Sequence, residues 1–151
     1  MEGRLISFSR FLCGALAVFA IAFATAGCAH VSDSSYMMKM SNETSRRGAE
    51  AFASGDREQA LERFREALRI DRSIDNRGGE MFDLINLGRV YTSLGRYAEA
   101  TDFLNGAITL GVTTRDYALL SDAHAAFAKA EYLAGHAGTA LDYIEDAQQI
   151  D

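Results

Sequence analysis

The order of apolar and polar positions divides the chain into two kinds of pattern. From Phe11 to Ala26 the sequence is apolar, without charge and with only Thr25 as a strongly polar group. As a helix this run of about 16 residues would be roughly 24 Å long, short of the ~20 residues a membrane span needs. From about residue 35 onward, apolar residues recur with helical spacing. Phe82, Ile85, Leu87, Gly88, Tyr91 and Leu94 follow a helical period, and Ala100, Leu104, Ala107 and Ile108 form the stripe of the next helix. Gly95 between them predicts a helix end in which one residue takes positive φ. Asp56, with Gln59 three residues on, predicts a helix N-cap.

This pattern recurs every 40 residues. Gly55, Gly95 and Gly135 share the interval, as do Ala60, Ala100 and Ala140, and Ala67, Ala107 and Ala147. Ile70, Leu110 and Ile150 close each unit. A recurring pair of helical stripes split by a glycine predicts helical hairpins, and the alanines mark where two helices approach closely. The units fall at about 35–74, 75–114 and 115–151. Proline is absent from the chain.

Leu87-Gly88, Tyr91, Gly95-Arg96-Tyr97, Ala100, Leu104 and Ala107 together resemble the tetratricopeptide repeat. The first unit keeps Gly48, Gly55, Ala60, Phe64 and Ala67. The third keeps Gly135, Ala140, Ile144 and Ala147, with Ala128 in place of the first glycine. The resemblance implies an all-α fold, an α-solenoid of three tetratricopeptide-like hairpins over residues 35–151; the apolar run before it is read separately as an N-terminal signal helix. It also implies a groove lined by the first helix of each unit. Carried onto this chain, the groove residues are Phe52, Phe82, Asn86, Arg89, Lys129 and Tyr132, with Ile85 beside them. An Asn86 amide there would bond a peptide backbone through both donor and acceptor. Arg89 and Lys129 would favour an acidic segment, and the aromatic residues would anchor it. Ser45, Ala49, Asp122 and Ala126 stand where some family members grip a terminal carboxylate, so that activity is not expected.

The ends of the array carry their own signal. Arg46 and Arg47 make the first helix polar where the second unit has Asn86 and Leu87, and Gln148 stands where Leu68 and Ile108 stand earlier. Terminal repeats need polar outer faces, so this reads as an array of three. Leu141, Tyr143 and Ile150 stay apolar near its end, which predicts a final helix covered by self-association, giving a homo-oligomer, or by a partner.

The N-terminus reads as an address. Arg4 and Arg10 precede the apolar run, and small residues close it, as in a secretory signal. Thr25-Ala26-Gly27-Cys28 resembles the bacterial lipobox, although Thr25 replaces the usual aliphatic residue. The resemblance implies cleavage after residue 27, lipidation of Cys28 and a tether over residues 28–34. Acyl chains contribute ~0.8 kcal/mol per buried methylene, enough for several to anchor the protein to a membrane. Of the two cysteines, Cys13 would leave with the signal, so the mature chain would have no internal disulfide. Ala24-Thr25-Ala26 also fits a cleavage site that would release a soluble periplasmic protein, and an uncleaved run would be a third outcome. Without Asp after Cys28, the lipidated reading predicts the outer membrane, facing the periplasm.

Charge and chemistry narrow the function. The net charge of -6 lacks the basic face that nucleic acid requires. No HExxH, CxxC, GxSxG, P-loop or dinucleotide glycine pattern is present, so no metal, cofactor or catalysis is expected. Gly78-Gly79 reads as a helix-start loop. Glu58, Glu62, Arg63, Glu66 and Arg69 read as a solvated face with i,i+4 pairs. The expectation is a membrane-anchored, periplasm-facing adaptor that binds a protein or peptide in an envelope assembly, such as pilus, secretin or outer-membrane assembly. The alternative is a small self-associating structural lipoprotein.

Overall fold

A computed structural model describes residues 33–150. The signal segment and Cys28 lie outside the described residues. Helix α1 covers residues 33–54. It is followed by α2 (Arg57–Ser73), α3 (Arg77–Ser93), α4 (Tyr97–Thr114), α5 (Tyr117–Ala134) and α6 (Ala137–Gln149). There are no strands among the described residues. Helices α1/α2, α3/α4 and α5/α6 are three successive hairpins of an α-solenoid, and α3 packs on α2, α4 and α5.

Glycine turns each hairpin. Gly55, Gly95 and Gly135 have φ of 88°, 73° and 93°, a region that side chains with a Cβ avoid. The amide after each glycine reaches back five residues: Asp56 N–H to Ala51 O, Arg96 N–H to Tyr91 O and His136 N–H to Glu131 O, at 2.9–3.0 Å. Each glycine amide meanwhile donates three residues back. This pair of bonds satisfies carbonyls that the helix end would otherwise orphan. Between hairpins, the same left-handed position falls to Asp75 (φ 56°) and Arg115 (φ 58°). Asp56, Asn76 and Asp116 cap the following helices by accepting from the amides of Gln59, Gly79 and Leu119. Arg96 and His136 start α4 and α6 with no side-chain cap.

Close helix approach explains the small residues. A Cβ on Gly88 would lie 2.5 Å from Leu104 Cγ, and one on Gly48 would lie 3.0 Å from the Phe64 ring. The same position in the third hairpin is Ala128, also buried. Gly78 and Gly79 differ from their expected loop: both belong to the first turn of α3. Gly79 is there because a Cβ would overlap Asp71 Oδ2. Leu61, Phe64, Met81, Leu87, Leu104 and Phe127 belong to one continuous core that crosses all three hairpins. Each such side chain contributes about 1.5–3 kcal/mol through burial.

The final hairpin differs in one respect from expectation. Tyr143 is half-buried and stacks on Phe127 with ring centroids 4.1 Å apart, and Ile150 packs against the core. The exposed apolar residues of α6 are Leu141 (60%) and Ile144 (43%). The solvated face of α2 holds an Arg63–Glu66 pair at i,i+3.

Candidate functional site

The first helices of the hairpins, α1, α3 and α5, share a surface because each packs beside the next. Phe52 from α1, Arg89 and Thr92 from α3, and Ala126 and Lys129 from α5 line a cavity of about 790 Å³. Leu94, Gly95 and Tyr97 close it at the turn of the second hairpin, with Leu133 at the far side. A second cavity, of about 540 Å³, lies nearer the other ends of these helices. Asn42, Ser45, Ala49, Gly79, Phe82 and Leu119 are among its lining residues. Pockets of this size with apolar walls and a few polar groups suit a short peptide segment.

Six residues were expected in one groove, and the structure distributes them. Phe52, Arg89 and Lys129 meet in the first cavity. Phe82 is 40% exposed and lines the second. Tyr132, 66% exposed, lies with Lys129 in a third cavity of about 440 Å³ between α5 and α6. Asn86 is only 7% exposed and occupied internally. Its Nδ2 donates to Phe82 O at 2.9 Å, and its Oδ1 accepts from Arg89 at 3.5 Å. Both halves of the amide are therefore engaged within the protein. Ile85 is buried and belongs to the core, not the groove, because its position faces the packed interior of α3.

The electrostatics are uneven. Arg89 forms an ion pair with Asp122 across α3 and α5, so much of its charge is answered within the protein. Lys129 is exposed and has no ion pair among the described residues, which leaves it as the cation of the first cavity. Leu94, Tyr97 and Leu133 also line this cavity and were not among the expected groove residues; Leu94 and Tyr97 figured in the sequence only as part of the helical period and the repeat motif.

Buried titratable groups lie beneath this surface. Asp83 is fully buried between the first two hairpins, and its Oδ1 accepts from the Ser45 hydroxyl at 2.6 Å. Its Oδ2 has no hydrogen-bond partner among the described residues. Burial pushes the carboxyl up to about 8, opposed by the Ser45 bond and reinforced by the neighbouring Asp71 carboxyl. Burial likewise lowers His124, against the pull of Asp146 at 3.9 Å. Both groups belong to packing interfaces, and neither lines the first cavity. No group of three or more potential ligands that could hold a metal ion occurs among the described residues.

Comparison with known proteins adds one finding. Residues 44–111 match the family model described as Tetratricopeptide repeat. The matched stretch runs from within α1 into α4 and takes in both the α1/α2 and α3/α4 hairpins. No curated protein and no solved structure matches the chain. Repeats of this family typically serve as protein-interaction scaffolds rather than catalysts. The match covers two successive hairpins, a third of the same construction follows them, and the fold is that of a tetratricopeptide-like solenoid.

Proposed function

We propose that this protein is a non-catalytic adaptor, lipid-anchored through Cys28 in a bacterial cell envelope, that holds a protein or peptide partner against its first-helix surface. The observation that carries the binding role is the cavity shared by α1, α3 and α5. It combines an aromatic side chain, Phe52, with an exposed cation, Lys129. That pairing suits an extended segment with an apolar anchor and a nearby carboxylate. The anchoring role is supported by Thr25-Ala26-Gly27-Cys28 at the end of an apolar run preceded by arginines. A lipidated protein with so short a tether works near a membrane surface, which suits a subunit of an envelope assembly on the periplasmic side of the outer membrane.

Two experiments test the reading. Capture of the lipidated protein from its native envelope should recover a partner that Phe52→Ala and Lys129→Glu both lose while the chain keeps its helical melt. Equal recovery by the variants would remove the cavity from the binding role. Metabolic labelling with palmitate should mark the wild-type protein and not Cys28→Ser. An unlabelled wild type would leave a soluble periplasmic protein as the alternative.

A further inference from the structure

The first two hairpins each present a face that the next hairpin covers, and the contacts across these faces are specific. Ser45 donates to Asp83, Arg65 to the Tyr91 hydroxyl, and Arg57 to Ser93 at 3.0 Å, all from the first hairpin to α3. Arg89 pairs with Asp122 from the second hairpin to α5. Shifting these positions by the 40-residue repeat transfers the face to the third hairpin. Arg65 becomes Glu145 and Arg89 becomes Lys129, both exposed. Leu61 and Phe64, buried in the first hairpin, become Leu141 and Ile144, which are exposed. With Ala125, Ala128 and Tyr132, these two residues line the apolar cavity of about 440 Å³ between α5 and α6.

We infer that this face docks an amphipathic helix of a partner protein, seated as α3 and α5 are seated on the hairpins before them. The repeat geometry specifies its charges. The residue opposite Lys129 corresponds to Asp122, and the residue opposite Glu145 corresponds to Tyr91, nine positions later in the same repeat frame. At about 100° per residue, nine positions place the two on opposite flanks of a helix. The occupant therefore carries a carboxylate on the flank that meets α5, a basic residue on the flank that meets α6, and an apolar stripe between them. Helix α6 supports this with Asp142, Glu145 and Asp146 and no basic residue.

A second copy of this chain fits poorly. In α1 the corresponding positions are Asn42 and Ala51, so neither charge is answered. Thr44 and Arg47 stand where α3 carries Leu84 and Leu87. Arg46 and Arg47 are already paired with Glu43 and Glu50. The docking face shares Lys129 and Ala125 with the α1/α3/α5 cavity, but its apolar residues Leu141 and Ile144 lie outside that cavity, and the inference does not rest on the proposed function.

The probe is a fluorescent peptide of residues 115–136 carrying Glu131→Lys, which keeps Asp122 and supplies the basic flank. It is titrated with the full chain beside the unsubstituted peptide. The substituted peptide is expected to bind about five-fold or more tightly than the native one. Glu145→Lys in the chain should reverse that order, and Leu141→Asp should lose both by ten-fold or more. Phe52→Ala, in the other cavity, should change neither. Equal binding of the two peptides, or an order indifferent to Glu145→Lys, would overturn the inference. So would a sedimentation mass that rises with concentration in the wild type and not in Leu141→Asp, since the occupant would then be a second copy.

Discussion

A single side chain sets the pH response of the first hairpin interface. Asp83 is held protonated by burial, with its carboxyl pushed up from 3.8 to about 8. The native state thus binds this proton more tightly than the unfolded chain. Its contribution is fully present below about pH 4 and is lost as pH rises through about 8, at up to ~1.4 kcal/mol per pH unit. Thermal melts from pH 5 to 9 should show stability falling for the wild type, and Asp83→Asn should flatten that slope. Parallel slopes would mean that Asp83 does not control it. Close approach makes a second prediction at this scale. Gly88→Ala must displace Leu104, at a cost of about 1–3 kcal/mol measured by denaturant unfolding. The Gly88 column was visible in the sequence as a repeat. The burial of Asp83 was not, because its burial depends on Ser45 and Asp71 arriving from two other helices.

The helix ends follow rules that local sequence largely decides. Gly55, Gly95 and Gly135 were legible as turns because no other residue adopts their φ at so little strain. Asp56 was legible as a cap for a similar reason. The turns between hairpins were harder to read, since Asp75 and Arg115 adopt positive φ without being glycine. Arg115→Gly should relieve that strain and stabilise the protein by up to about 1 kcal/mol, whereas Gly95→Ala should cost about 1 kcal/mol. A further gain is available at α6, whose start lacks a side-chain cap. His136→Asp is expected to add about 1 kcal/mol, offset in part by the lost His136–Glu131 contact of 2.8 Å. Melting temperatures of the three variants check all of this, and an Arg115→Gly protein less stable than wild type would contradict the strain argument.

Across the whole molecule, equivalent residues have different consequences because the solenoid is finite within the described residues. Leu61 is 8% exposed and Leu141 is 60% exposed at the same position of the repeat. Leu61→Ala should therefore cost about 2–5 kcal/mol, as a core truncation does. Leu141→Ala should change stability by no more than about 0.5 kcal/mol, as a surface substitution does. A comparable loss from both, by chemical denaturation, would mean that the third hairpin is covered in solution. Of the six residues expected in one groove, five divide among three cavities, and Asn86 turns inward to bond Phe82 and Arg89 of its own helix.

The sequence by itself determined the repeat length, the helical hairpins, the glycine turns and the alanine and glycine positions of close contact. Each of these depends on backbone conformation and periodicity, which act over a few residues and recur at a fixed interval. Only the tertiary structure decided that Arg89 spends its charge on Asp122, that Asn86 bonds its own helix, and that Lys129, Tyr132, Leu141 and Ile144 face solvent. Such outcomes depend on which helix lies across from which. The Arg89–Asp122 pair joins residues 33 apart on two helices, and helix packing leaves the Asn86 amide to bond Phe82 and Arg89 of its own helix, which periodicity alone does not encode.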